Sequence, residues 1–196
     1  VYDDPAYAAV RDSLTDLLLA LQEQYGEDPD LFTQHLEKER TDHLARGAAV
    51  QFVTAPNERF AQNAATALTD GNYWDYTMYA PIRMQDWLGW RNRPCEIILD
   101  LGSEKPLNSV KVNTYQSPRS WVYFPEQIDC LVSSDGQRFA RAGGITTMDN
   151  NFLDGTKRYE IKLPGTRARY VKILAKPMEY IPSDRPGAGN TPWLFL

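Results

Sequence analysis

Along the first stretch of the chain the apolar positions recur every three to four residues. Tyr7, Val10, Leu14, Leu17, Leu18, Leu21 and Tyr25 fall on one face of a helix spanning residues 4 to 25. Asp4 serves as its cap, Pro5 suits the first turn and Gly26 ends it. Asp28-Pro29 repeats the cap-and-proline signal, and Phe32, Leu36 and Leu44 predict a second, more polar helix running to Gly47. A helix pair of this size is marginal alone in water, so its apolar stripe needs a partner surface, on this chain or beyond it. From residue 50 onward the period changes to two, with Gly, Pro, Asn and Asp between short runs. Strands are predicted at 95–101, 109–115, 127–133, 158–163 and 169–175. Their inward faces are Ile97/Leu99/Leu101, Val110/Val112, Ile128/Cys130/Val132 and Val171/Ile173. Ser134-Asp135-Gly136-Gln137 and Leu163-Pro164-Gly165-Thr166 read as turns, each separating strands that pair antiparallel. The spacings predict a two-sheet sandwich with Trp87, Trp90, Phe139 and Ile173 buried.

The 196 residues have room for one large or two small domains, and 42% hydrophobic and 12% aromatic content supplies a core. A net charge of -5 and a pI near 5.1 offer no basic field for nucleic acid or an anionic membrane, and the sequence shows no local basic patch. No run approaches the roughly 18 apolar residues of a spanning helix. The first residues lack a basic stretch followed by an apolar core, so an export signal is expected upstream. Two cysteines, Cys95 and Cys130, lie in strand-like runs. They pack either as buried free thiols or as a bridge between neighbouring strands.

The residues that chemistry would require are sparse. His35 and His43 stand eight apart, off metal-ligand spacing, and no Gly-x-Ser-x-Gly elbow or phosphate-cradling glycine loop occurs. Asp3/Asp4 and Asp28/Asp30 sit at helix starts, where capping and the helix dipole explain them. The stretch from Asn72 to Trp90 is different, with Tyr73, Trp74, Tyr76, Tyr79, Trp87 and Trp90 interleaved with Arg83, Gln85 and Asp86. Sugar recognition needs a flat apolar ring under the C–H face of a pyranose and planar polar groups around its hydroxyls. Trp74 and Tyr76 are the candidate stacking residues and Arg83 a polar partner.

Four segments occur in one order: Ala67-Leu68-Thr69-Asp70-Gly71, Ile97-Ile98-Leu99-Asp100-Leu101-Gly102, Trp121-Val122-Tyr123-Phe124-Pro125 and Ser133-Ser134-Asp135-Gly136-Gln137-Arg138-Phe139. In this the chain resembles the galactose-binding-like family of discoidin and coagulation factor V/VIII type C domains, especially those appended to bacterial hexosaminidases and other glycan-degrading enzymes. The resemblance covers residues 50 to 196 and implies a mainly β, galactose-binding-like jelly-roll β-sandwich, preceded by one or two α-helices. It implies that Trp87 and Trp90 belong to the core. It also implies a structural calcium at the Asp-Gly loop, held by the Asp70 carboxylate and the backbone carbonyls of Leu68 and Asn72. The plainer reading makes Asp70 a cap for local amides. The loop 116–120 stands where sugar-binding relatives place an amide and an arginine toward the ligand, which nominates Gln116 and Arg119. Tyr180 closes the same rim.

Val1-Tyr2-Asp3-Asp4-Pro5-Ala6-Tyr7-Ala8-Ala9-Val10, leading into Leu21-Gln22-Glu23-Gln24-Tyr25-Gly26-Glu27-Asp28, resembles the last helix of type I sulfatases. The expected organisation is a helical segment over 1–48, as tail of an upstream domain or linker, and a discoidin-like sandwich over 49–196 whose last strand is truncated. The expected function is a non-catalytic carbohydrate-binding module that targets a parent hydrolase to glycans of galactose or N-acetylhexosamine type, in a secreted, periplasmic or cell-surface setting. The rival reading is a C-terminal structural fragment of a sulfatase or glycoside hydrolase, with the sandwich as a docking domain.

Overall fold

The computed structural model describes residues 5–25, 43–71, 87–147 and 153–196. The chain divides into two compact units, Val1–Asp42 and His43–Leu196. In the first, a short 3₁₀ turn at Pro5–Tyr7 leads into helix α1, Ala8–Tyr25. Tyr7, Val10, Leu14, Leu17, Leu18 and Leu21 all carry their side chains to the surface, between 41% and 61% exposed. The second predicted helix falls largely outside the described residues. Its predicted last turn is not helical: residues 44–47 form a turn, and Ala45 and Ala48 pack against the core of the second unit.

That second unit is built from seven antiparallel-paired strands: β1 Ala49–Phe52, β2 Gly89–Arg91, β3 Cys95–Gln116, β4 Gln127–Ser133, β5 Ala140–Thr146, β6 Gly155–Lys176 and β7 Trp193–Phe195. The order across the sheet is β2-β7-β3-β6-β4-β5, with β1 on β3. The predicted strands within 95–116 merge into β3 and those within 155–176 merge into β6. The two pair along their whole length, from Cys95 against Ala175 to Gln116 against Gly155. Leu163-Pro164-Gly165-Thr166 is therefore not a turn between paired strands. It lies within β6, and the ladder shifts register between Asp100 and Lys105 and again between Leu107 and Ser109. Those irregularities bend both strands. Ile97, Leu99 and Leu101 from one arm of β3 and Val112 from the other, with Ile161, Leu163, Val171 and Ile173 of β6, share one core. The bent sheet thus closes on itself as a jelly-roll sandwich. The predicted turn at Ser134–Gln137 does join an antiparallel pair, β4 and β5. Asp135 accepts there from the backbone N–H groups of Gln137 and Arg138.

All the predicted inward faces enter that core, with Val110 and Val132 at its margin. Trp90 and Ile173 are buried, and Trp87 is buried in a second cluster with Tyr115, Val122 and Phe195. Phe139 corrects the expectation. It is half-buried, and the Lys172 ammonium sits over its ring at 4.6 Å. The outward side of the long ladder is charged: Arg169 pairs with Asp100, Lys172 with Glu96 and Arg167 with Glu104.

The cysteines are free and buried. Cys95 stands on β3 opposite Ala175 and Cys130 on β4 opposite Ile173, so β6 lies between them. Two inter-strand spacings of roughly 4.8 Å put a bridge out of reach, which removes the disulfide alternative. Burial pushes both thiols up, Cys130 to about 12, and a thiol without thiolate character is inert. A thiol reagent should find neither cysteine in the native protein and both once guanidinium unfolds it; reaction of the native chain would contradict this packing.

Candidate functional site

Strand β3 ends at Gln116, and the chain turns over six residues. Ser117 and Val122 exchange backbone hydrogen bonds at 3.0 and 3.1 Å, around a 3₁₀ turn at Pro118–Ser120. Proline at the start of that turn supplies its φ in advance. Trp121 closes it in the left-handed region, φ 61° and ψ 26°, its N–H donating to Pro118 O. A bulky residue there is strained and persists only where its surroundings hold it. Gly187 does so from the facing loop 177–192. It has φ +84°, and a Cβ on it would lie 2.4 Å from Trp121 Cδ1. That loop is closed by its own backbone bonds between Ile181 and Asn190 and between Gly189 and Ile181. It is seated by Met178 and Ile181 on Tyr123, with Trp121 packed alongside. The Tyr123 hydroxyl donates to Pro186 O at 2.8 Å. Burial pushes its pKa up, partly offset by the Arg185 cation 5.9 Å from the ring.

Behind these loops lies the pair β2 and β7, where Arg91 faces Trp193 across the ladder. The Arg91 guanidinium sits 5.7 Å from the Trp121 ring centre and 5.4 Å from that of Trp193. Trp193 in turn meets Phe60 edge-on at 5.1 Å, and Arg59 lies 5.3 Å from the Phe60 ring. Arg91, Trp121, Trp193 and Phe60 are all half-buried.

Arg119 is exposed at the tip of the turn and Tyr180 is 58% exposed on the facing loop. The packing of Trp121 and Tyr123 on Met178 and Ile181 brings those two loops together. Gln116 differs: it is buried, and its amide donates to Leu153 O at 3.1 Å, tying the end of β3 to the approach to β6. Trp74, Tyr76, Arg83 and Asn72 lie outside the described residues. Asp70 is exposed and Leu68 half-buried, on a turn whose Thr69 carbonyl accepts from Gly47 N–H and whose Gly71 has φ +80°. One carboxylate and a backbone carbonyl are donors of the hard type that calcium takes. Among the described residues no group of three or more His, Cys, Asp or Glu side chains is placed to hold a metal. His43 stands near this turn; burial lowers its pKa, Arg46 lowers it further and Asp70 partly restores it.

Sequence reasoning passed over Arg91, Trp121 and Trp193. One signal was present: neighbours on a strand point to opposite faces, so a core Trp90 sends Arg91 the other way.

The family model for the F5/8 type C domain matches residues 52–183. The chain belongs to that family. A comparison with curated proteins gives no match. Among solved structures, this F5/8 type C domain is similar to the lectin domain of lectinolysin complexed with Lewis B antigen, at 17% identity and TM-score 0.46, covering 79% of this chain and 92% of that one. It is similar to CpGH89CBM32-5 from Clostridium perfringens, in complex with GalNAc-β-1,3-galactose, at 19% identity and TM-score 0.44, covering 76% and 91%. The CBM32 of AlyQ in complex with 4,5-unsaturated mannuronic acid follows at 15% identity and TM-score 0.40, covering 76% and 93%.

Proposed function

We propose that this F5/8 type C domain is a non-catalytic carbohydrate-binding module that holds a parent glycan-degrading enzyme at its substrate. The observation that carries the reading is Trp121. An indole fixed in a left-handed conformation and left half-exposed, between loops that present Arg119 and Tyr180, offers a flat ring with planar and hydroxyl polar groups beside it. That combination suits the apolar face and hydroxyl edge of a pyranose. Trp74, Tyr76 and Arg83 are proposed to line the same rim, whereas Gln116 supports the loop from within. Loops supply Arg119, Trp121 and Tyr180 because the inward strand faces are occupied by the core. Galactose-type and N-acetylhexosamine-type glycans are the proposed ligands, met outside the cell or in the periplasm. The exposed apolar stripe of α1 supports attachment to an upstream domain such as that of a sulfatase or glycoside hydrolase; attachment would raise the effective concentration of substrate without chemistry.

A single ring with two or three polar contacts supports affinities on the order of 0.1 to 1 mM, so a multivalent glycan array followed by NMR titration is the suitable test. Arg119→Ala and Tyr180→Ala should each weaken binding several-fold at an unchanged melting temperature. No binding to any glycan on the array would overturn the reading in favour of a docking domain.

Calcium at the Asp70 loop is part of the same proposal: an ion that binds the folded chain raises its melting temperature by mass action. Asp70→Ala should abolish that rise, and a wild-type chain indifferent to calcium would leave Asp70 the capping role alone.

A further inference from the structure

Arg59, Phe60, Trp193, Arg91 and Trp121 form a ladder in which a pair of aromatic rings separates two guanidinium groups and a third ring follows the second. Six cations of the domain, Arg141, Lys162, Arg167, Arg169, Lys172 and Lys176, each sit on a carboxylate; Arg59 and Arg91 are not among them. Among the described residues neither Arg59 nor Arg91 has an acidic partner, and Arg91 Nε is shielded from solvent without any acceptor. The acidic neighbour along the chain is Glu58, beside Arg59. Aromatic rings engage a guanidinium through its flat faces and leave the N–H edge, a rigid fork matched to the two oxygens of an oxyanion, uncommitted. Nε itself is buried beyond a ligand's reach, so an oxyanion would meet the terminal N–H groups of this half-buried side chain through charge-assisted hydrogen bonds. Arg119, exposed in the turn that ends at Trp121, adds a further cation at the same end, on a chain whose net charge is -5.

The geometry points to an anionic glycan as the ligand: a pyranoside that lies against the half-exposed indoles of Trp121 and Trp193 and places a carboxylate or sulfate on Arg91, with Arg59 as the second cationic contact. This rests on the carbohydrate-binding reading and narrows it to a substrate class. A ladder that served only to pin β2 and β7 to the 117–122 turn would stabilise the fold and show no charge selectivity.

The test uses the full chain and two matched pairs of probes: oligogalacturonate against its methyl ester, and a sulfated galactan oligosaccharide against its desulfated form. In at least one pair the charged member is expected to bind about tenfold tighter or more at low salt, and which pair responds identifies the oxyanion. Arg91→Gln should erase that preference. Arg59→Gln, on an exposed side chain that the core does not need, should reduce the preference in the same sense and guards against a misfolded Arg91 variant. Equal binding within both pairs, or a preference that survives both substitutions, overturns the anionic class yet leaves neutral-glycan binding standing. Absence of binding to all four probes overturns it as well, and only failure on the wider glycan array would also remove the carbohydrate reading.

Discussion

Trp90→Ala is expected to cost about 3–5 kcal/mol of folding stability, the usual range for truncating a fully buried tryptophan. The side chain is 0% exposed, sits in the main core and lies 6.5 Å from the Phe52 ring, so nothing nearby is free to fill the space. More than volume is lost. The indole N–H donates to Thr54 O at 2.8 Å, and the Thr54 hydroxyl donates to Pro94 O and accepts from Glu96 N–H. Trp90 therefore fastens the segment after β1 to β2 from inside, and the Thr54 hydroxyl ties the same segment to the start of β3. Trp90→Phe separates the two contributions: it keeps a ring but withdraws the donor, for about 1–3 kcal/mol. Urea unfolding of the two variants and the wild type measures both, and a Trp90→Ala loss below 1 kcal/mol would mean that this core is not packed as described.

Gly187→Ala is expected to cost about 2–5 kcal/mol, from about 1–2 for a side chain in the left-handed region and about 1–3 for overpacking. The added Cβ would fall 2.4 Å from Trp121 Cδ1 and 2.6 Å from Nε1, with Trp121 itself fixed at φ 61°. Gly189→Ala is the control. Its φ is +77° but no atom lies within 4 Å of a Cβ there, so only the backbone cost remains. The difference between the two midpoints isolates the clip on Trp121. If both variants lose the same amount, loop 177–192 does not hold Trp121 in place.

Much of the sandwich was legible because strand periodicity survives wherever one face is buried: Ile97/Leu99/Leu101 and Ile128/Cys130 point inward as their spacing requires. Continuity through the bends was not. Gly102 at φ +77°, with Asp100 accepting from its N–H, and Pro164-Gly165 with φ +67° have the local chemistry of chain reversals, yet each sits within a strand whose ladder resumes beyond it. Pairing with a distant strand decided the outcome, which local residue type does not encode. At the candidate site the exposure of Arg119 and Tyr180 agrees with their being loop residues. The commitment of Gln116 to Leu153 could not be read, because that partner is remote in sequence. Arg91 was missed because β2 spans only three residues, too few to mark it as a strand on which a core Trp90 sends its neighbour to the opposite face. Trp121 was read as a motif element only, since nothing about a tryptophan announces positive φ.

The long ladder between β3 and β6 also has a kinetic consequence. Gln116 and Gly155 bound a much shorter intervening segment than Cys95 and Ala175 do, so closing the chain at the Gln116 end costs less entropy. Pairing that starts there can zip past the two register shifts toward Cys95, each step shortening the gap left to close. Strand β4 is flanked by β6 and β5, so its seat opposite Ile173 and Ala175 is complete only when the zipper has reached its far end. A fold so dominated by distant pairs belongs with slow folders, on the order of milliseconds to seconds, whereas α1, held by neighbours along the helix, forms on the order of microseconds. Formation of the helix is therefore faster than closure of the sandwich by orders of magnitude.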